Sequence, residues 1–402
     1  MDTFIARQAI YDCFGNIYGY ELLYRSFFSD YYTEKNPDKA TGLLLINSYL
    51  SLGFENLTNG KLAFINFTPN IIKSGIIEYL PPELIIIELL ENCQLDDDFI
   101  AICKKLKKKG YRFALDDFVY NPKQTSLLEL ADIIKIDCLN SPLPDFTSFY
   151  SLLKEPKPLI LAEKIESKEL FQEVYNEAFS LFQGFYLSRP VILTSFDLKP
   201  DKSVLAAFEK VLKQKQYQID KLEAIIKKDI ALTLKILKLS ESKKHLPRLS
   251  LSIKQALSQI SHAEAKCWFN LCNNYDSDNQ SLNLRKRSVI RGRFTELLGL
   301  EAKLASSHSE FYFLGLFSLL DRLLNTSFQQ IVNRLPVSMA IKKAYLREPS
   351  QLLDLLMLVE NYEAEKWENV LRQCELLNIK PEKVAEFYLE AQNWQSNLEV
   401  TF

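Results

Sequence analysis

Up to about residue 190, short apolar runs alternate with amphipathic stretches, and this alternation restricts the fold more than any other feature of the chain. The series reads KLAFINFT then PNIIKSGIIEYL, LIIIELLE then DDDFIAICKKLKKKG, RFALDDF, IIKID, LILAEKIE then SKELFQEVYNEAF, and SLFQGFY. Apolar runs of roughly four to eight residues separated by helical patterns predict βα units around a parallel sheet covered on both faces. Enough repeats are present to close a β/α barrel. The run 104-KKLKKK-109 reads as the solvated end of a helix, where cations suit the dipole, and Gly110 as its stop.

After 189-RPVILTSFDLKPDK-202 the strand texture disappears. Leu222, Ile225, Ile226, Ile230, Leu234 and Leu237 keep helical spacing, as do 310-EFYFLGLFSLLDRLL-324 and 351-QLLDLLMLVENYEAEKWENVL-371. Three glycines are all this half contains. At 402 residues the chain exceeds one ordinary core. The expected fold is therefore α/β: a TIM-like (β/α) barrel over 1–197, followed by an all-α domain over 198–402.

A net charge of −2 gives no global reason to bind nucleic acid. No apolar run approaches the roughly 18 residues of a membrane span, and MDTFIARQAIYD acquires charge too early for a signal peptide. Seven cysteines, with no C-x-x-C pair, read as reduced thiols of a cytoplasmic protein and not as zinc ligands.

The first half has no histidine, because His245, His262 and His308 all lie beyond it. Chemistry there must use carboxylates, lysine or a metal. The strand ends supply Glu21, Asn66, Glu88, Asp116, Asp117, Lys135, Asp137, Glu163 and Gln183, and in a β/α barrel such ends converge on one mouth. Lys135 and Asp137 share a face of their strand. Asp116 and Asp117 can reach one centre only if their strand breaks between them. Carboxylates with an amide oxygen suit Mg²⁺ or Mn²⁺. Singly, each residue has a structural reading: a Glu21–Arg25 rim salt bridge, a Lys135–Asp137 ion pair, Asn66 as a helix cap, Glu163 and Glu166 as surface acids. Together, acids at successive strand ends are costly to bury without a shared counter-ion, which favours a metal site without naming its substrate.

In order, YGYELLYR, FINFTPN, IELLE, ALDDF, IKID, AEKIES and FQGFYLSRP resemble the EAL family of cyclic di-GMP phosphodiesterases across nearly all of residues 1–195. The helical half resembles the HDOD domain, through 222-LEAIIKKDIALTLKILKLSES-242, 249-LSLSIKQALSQIS-261, FLGLFSLLDRLL and EFYLEAQNWQ. The resemblance implies that Glu21, Asn66, Glu88 and Asp116 ligate one Mg²⁺ or Mn²⁺ and that Asp117 serves a second. It implies Glu163 as general base and Lys135 as holder of the attacking water or a phosphate oxygen. Arg25 would contact a substrate phosphate, with Gln8 and Gln183 beside the substrate, and Glu91, Asp137 and Glu166 as supporting acids. The implied reaction is hydrolysis of cyclic di-GMP to the linear dinucleotide.

The departures from the family pattern concern the neighbours of these residues. EAL reads ELL, and Gln8-Ala9-Ile10 stands where Gln-Pro-Ile is usual. After the paired aspartates, 118-FVYNPKQT-125 replaces a glycine-rich loop and so lacks its access to positive φ. Two readings follow: a phosphodiesterase with an HDOD regulatory module, or a catalytically inactive EAL domain acting as cyclic di-GMP receptor or scaffold. The helical half has no His-Asp dipeptide, so it reads as a non-catalytic module for a protein partner, with Trp268, Trp367 and Trp394 in its core. By analogy the barrel forms a homodimer.

Overall fold

The computed structural model describes residues 3–25, 36–90, 96–118, 125–139, 149, 153, 155–175, 177, 179–195, 198–214, 218–241, 252–275 and 282–400. Glu91, His245 and residues 119–124 of the divergent loop lie outside them. The chain divides into two compact units, Met1–Ser195 and Phe196–Phe402.

In the first unit the strands are β1 (Thr3–Asp12), β2 (Ile17–Arg25), β3 (Leu62–Phe67), β4 (Ile85–Leu89), β5 (Arg112–Leu115), β6 (Ile133–Asp137), β7 (Leu159–Glu163), β8 (Leu181–Phe182) and β9 (Val191–Ser195). Strands β2 to β8 run parallel in chain order, and β1 pairs antiparallel with both β2 and β8, so eight strands close into a barrel. The reversal of β1 comes from the tight turn into β2. There Asp12 Oδ1 accepts from the N–H groups of Phe14 and Asn16 at 2.9 and 2.8 Å, and Gly15 takes a φ of 79°. Strand β9 lies outside the ring, beside Thr3–Arg7 of β1.

Helices follow most strands, as the alternation predicts. The helix Asp97–Lys108 starts at Asp96, whose side chain accepts from Phe99 N–H at 2.7 Å, and it ends at Gly110, where φ is 92°. The lysines of the run are exposed, with Lys107 half-buried, as the sequence suggests, and three of them also pair with acids. Lys105 and Lys109 pair with Glu78 at 2.8 and 2.5 Å, and Lys107 pairs with Asp132 at 3.0 Å. The predicted single helix over 69–80 is two pieces, Pro69–Lys73 and a 3₁₀ turn at Ile76–Tyr79, broken where Gly75 turns left-handed at φ 80°. Thr68 caps the first piece, so Asn66 is not its cap.

Inside the barrel, Ile10, Phe64, Ile86, Ala114, Ile133, Leu161 and Leu181 form one buried cluster. Side chains alternate along a strand, so the next inward positions are two residues away. Those positions are Gln8, Asn66, Glu88, Asp116, Lys135, Glu163 and Gln183. Every one is polar. The period-two pattern thus stacks a polar layer directly on an apolar floor.

The second unit is helical throughout its described residues. Its three glycines all sit where the helices Leu282–Glu301 and His308–Leu316 touch. A Cβ added at Gly315 would lie 2.2 Å from the Arg291 carbonyl oxygen, one at Gly299 would lie 2.5 Å from the Phe311 ring, and one at Gly292 would lie 2.8 Å from the Tyr312 ring. Gly315→Ala is therefore expected to destabilise this unit by about 3 kcal/mol or somewhat less, the cost of forcing packed backbones apart. Tryptophan fluorescence during thermal unfolding measures it, since all three tryptophans belong to this unit; an unchanged midpoint would refute the close-approach argument. Trp268 is buried and Trp394 packs edge-on against Tyr312, but Trp367 corrects the core expectation. It is 55% exposed, at the first position of its helix, with Tyr362 against one edge. No described helix of either unit is long and apolar enough to cross a membrane.

Candidate active site

Backbone bonds beyond the strand ends set the polar layer in place. Asp116 N–H reaches Leu89 O at 3.0 Å, which carries β5 one residue past its end. Phe118 N–H then returns to Lys135 O at 3.0 Å. Ile165 N–H reaches Gln183 O at 3.1 Å, an approach that requires Gly184: a Cβ there would lie 2.1 Å from the Ile165 carbonyl oxygen.

At the centre stands the Lys135 ammonium, 1% exposed. It lies 2.6 Å from Glu88 Oε1, 2.7 Å from Asp116 Oδ1, 2.8 Å from Glu163 Oε1 and 3.9 Å from Glu21 Oε1. Glu21 is held in turn by Gln183 Nε2 at 2.6 Å and Asn66 Nδ2 at 3.5 Å. Gln183 also donates to Gln8 Oε1, and Gln8 Nε2 donates to Ser188 O, both at 3.2 Å. These contacts replace the simple pairs: Glu21 is engaged by Gln183, Asn66 and Lys135, not by Arg25. Arg25 lies on the same face of β2 four residues further on, donating to Tyr24 O at 3.3 Å.

Four carboxylates thus face one ammonium in a buried volume. Burial lowers the Lys135 pKa, but the charges of Asp116, Glu163, Glu21 and Glu88 outweigh it and hold the lysine well above its usual value. The surplus negative charge falls on the acids. Burial, opposed by Lys135 and reinforced by Glu21 and Asp116, raises Glu88 well above the carboxylate range. Burial likewise pushes Glu163 up to about 8, with Lys135 pulling against it and Asp116 and Glu21 adding to the rise.

The paired aspartates separate. The strand breaks after Leu115, yet Asp117, at φ 42°, turns to a different cation. Lys164 Nζ lies 3.0 Å from Asp117 Oδ1 and 2.6 Å from Asp137 Oδ2, so Asp137 pairs with Lys164 and not with Lys135. Burial lowers the Lys164 pKa, but its bonds to Asp137 and Asp117 reverse this and raise it overall. Strand periodicity points Lys164 away from the mouth; its φ of 55° brings it back. A lysine directly following Glu163 in AEKIES was the available signal. Glu166 is exposed and makes no hydrogen bond or ion pair among the described residues.

A hard divalent cation fits this donor set. The buried oxygens Glu88 Oε2, Asn66 Oδ1 and Gln183 Oε1 have no hydrogen-bond partner, and acceptors left without donors in a charged cluster call for positive charge. The acids stand around the ammonium itself, and no three His, Cys, Asp or Glu side chains among the described residues already form a metal cage.

No protein-family model matches the sequence. The chain is 33% identical to the uncharacterized protein YuxH of Bacillus subtilis, with 99% of both chains aligned. It is 30% identical to the cyclic di-GMP phosphodiesterase CdgJ of Vibrio cholerae, over 98% of this chain and 93% of that one. Among solved structures, the Bacillus subtilis YkuI protein, with an EAL domain in complex with substrate c-di-GMP and calcium, matches 46% of this chain and 54% of its own at 19% identity and a TM-score of 0.36. A standalone EAL protein from Vibrio cholerae O395 in its c-di-GMP-bound form matches 47% of this chain and 92% of its own at 24% identity and a TM-score of 0.36. Aligned with CdgJ over nearly its whole length, the chain belongs to the family of cyclic di-GMP phosphodiesterases that includes CdgJ.

Proposed function

We propose that the barrel hydrolyses cyclic di-GMP to the linear dinucleotide in a divalent-cation-dependent reaction. The observation that carries this reading is the convergence of Glu21, Glu88, Asp116 and Glu163 on the Lys135 ammonium at the barrel mouth. Glu21, Asn66, Glu88 and Asp116 would hold Mg²⁺ or Mn²⁺. When bound, that ion would neutralise charge on the phosphodiester and lower the pKa of water.

The remaining steps belong to the side chains. Glu163, with its raised pKa, accepts the proton of the attacking water. Lys135 is kept cationic by its neighbours and donates to the water or to a phosphate oxygen, so no group must reorganise as charge develops. Gln183 holds Glu21 and is itself bonded to Gln8, and the two amides lie beside the substrate. Arg25, further along the same face of β2, meets a phosphate oxygen. The helical unit acts as an HDOD-type regulatory module that receives a protein partner, a reading supported by its all-helical composition and its lack of a His-Asp dipeptide.

The test is incubation of the purified full-length protein with cyclic di-GMP and Mg²⁺ or Mn²⁺, with linear product followed by chromatography. Product is expected with a divalent cation and none after chelation. Binding without product under either metal would replace the enzyme reading with that of a receptor, as the 118–125 departure from a glycine-rich loop allows.

A further inference from the structure

Lys135 and Lys164 divide the acids of the mouth between them. Lys135 rises from within β6 and gathers Glu88, Asp116 and Glu163. Lys164 comes from the position after β7. Its ammonium donates to Asp137 Oδ2 at 2.6 Å and to Asp117 Oδ1 and Oδ2 at 3.0 and 3.4 Å. Leu139 N–H occupies the other Asp137 oxygen at 2.9 Å.

The backbone is shaped for this outer pair. Asp117 and Lys164 each follow an acid of the inner cluster, Asp116 and Glu163, and each is left-handed, at φ 42° and 55°. In extended chain both side chains would point out of the barrel; the left-handed step turns them toward each other. Aspartate tolerates that conformation, whereas lysine adopts it only where surrounding contacts compensate. The two charge-assisted contacts are that compensation.

Two carboxylates converging on one point are also what a second divalent ion would need. Here the point is already filled by a charge carried on the chain itself, which does not diffuse away and which an incoming ion would have to displace. We propose that Lys164 is a built-in counter-cation that takes the place of a second divalent ion at Asp117 and Asp137, so that the barrel binds one divalent cation per chain. The proposal rests on the reading of the inner cluster as a cation site, and it replaces the two-ion expectation drawn from the sequence.

Bound Mn²⁺ per chain, measured by titration calorimetry and elemental analysis on the full-length protein, tests it without reference to turnover. The native protein is expected to bind one ion. Lys164→Gly, which suits the left-handed backbone and removes the ammonium from both carboxylates, is expected to bind two, and Lys164→Arg to return to one. Two ions in the native protein, or one in Lys164→Gly, would overturn the role of Lys164 while leaving the inner site intact. No ion in any of the three proteins would overturn the inner site and this proposal together.

Discussion

Lys135→Met is expected to destabilise the barrel unit by about 3–5 kcal/mol, the usual cost of removing one partner from a buried ionic group. Methionine nearly preserves the volume, so the loss is one of charge and not of packing. Glu88 is fully buried, and Glu21 and Glu163 are nearly so; without the ammonium they face each other across a site that water barely reaches. Protonation of Glu88 and Glu163, already displaced upward, recovers part of the cost. For a unit of this size the midpoint should fall by about 10 °C, at roughly 2–4 °C per kcal/mol. Scanning calorimetry in the presence of a chelator measures this directly. Tryptophan fluorescence follows the helical unit separately, because Trp268, Trp367 and Trp394 all belong to it. A barrel transition that did not move would mean that Lys135 does not neutralise the cluster.

Glu163→Gln is expected to reduce kcat for cyclic di-GMP hydrolysis by about 10²–10⁴-fold, the range that general base catalysis contributes, while substrate affinity changes little. Glutamine keeps the shape and still presents an oxygen to Lys135 but has no basic oxygen to receive a proton. Burial leads the shift that brings Glu163 to about 8, with Asp116 and Glu21 opposing the pull of Lys135. A base of that pKa is well matched to a reaction near neutrality. Steady-state kinetics beside calorimetric binding to the variant separates the roles. A loss of only a few fold would remove Glu163 as the base, and loss of affinity with unchanged kcat would make it a substrate contact instead.

The inner cluster was legible because strand periodicity is a local property. Glu88, Lys135 and Glu163 each stand two residues beyond an inward apolar side chain, on Ile86, Ile133 and Leu161. Once the runs are read as strands, their facing follows. The helix stop at Gly110 was local in the same way. The pairing of lysines 105, 107 and 109 was not, since Glu78 and Asp132 lie on segments distant in the chain. The pairing of Asp117 with Lys164 escaped the sequence for a different reason. Periodicity holds only while backbone stays extended, and both residues fall just past a strand end at positive φ.

By itself, then, the order of residues determined a barrel-forming first half, an all-helical second half, and which strand-end side chains face inward, because apolar spacing encodes the 2.0 and 3.6 periods directly. Tertiary structure alone decided how the charges are shared. The β1–β2 hairpin brings Gln8 opposite Glu21, and closure of β1 on β8 sets both beside Gln183. Strand-end geometry hands Asp116 to Lys135 but Asp117 and Asp137 to Lys164. The pairing of a charge depends on distances of a few ångströms between segments far apart in sequence, and no local spacing records those distances.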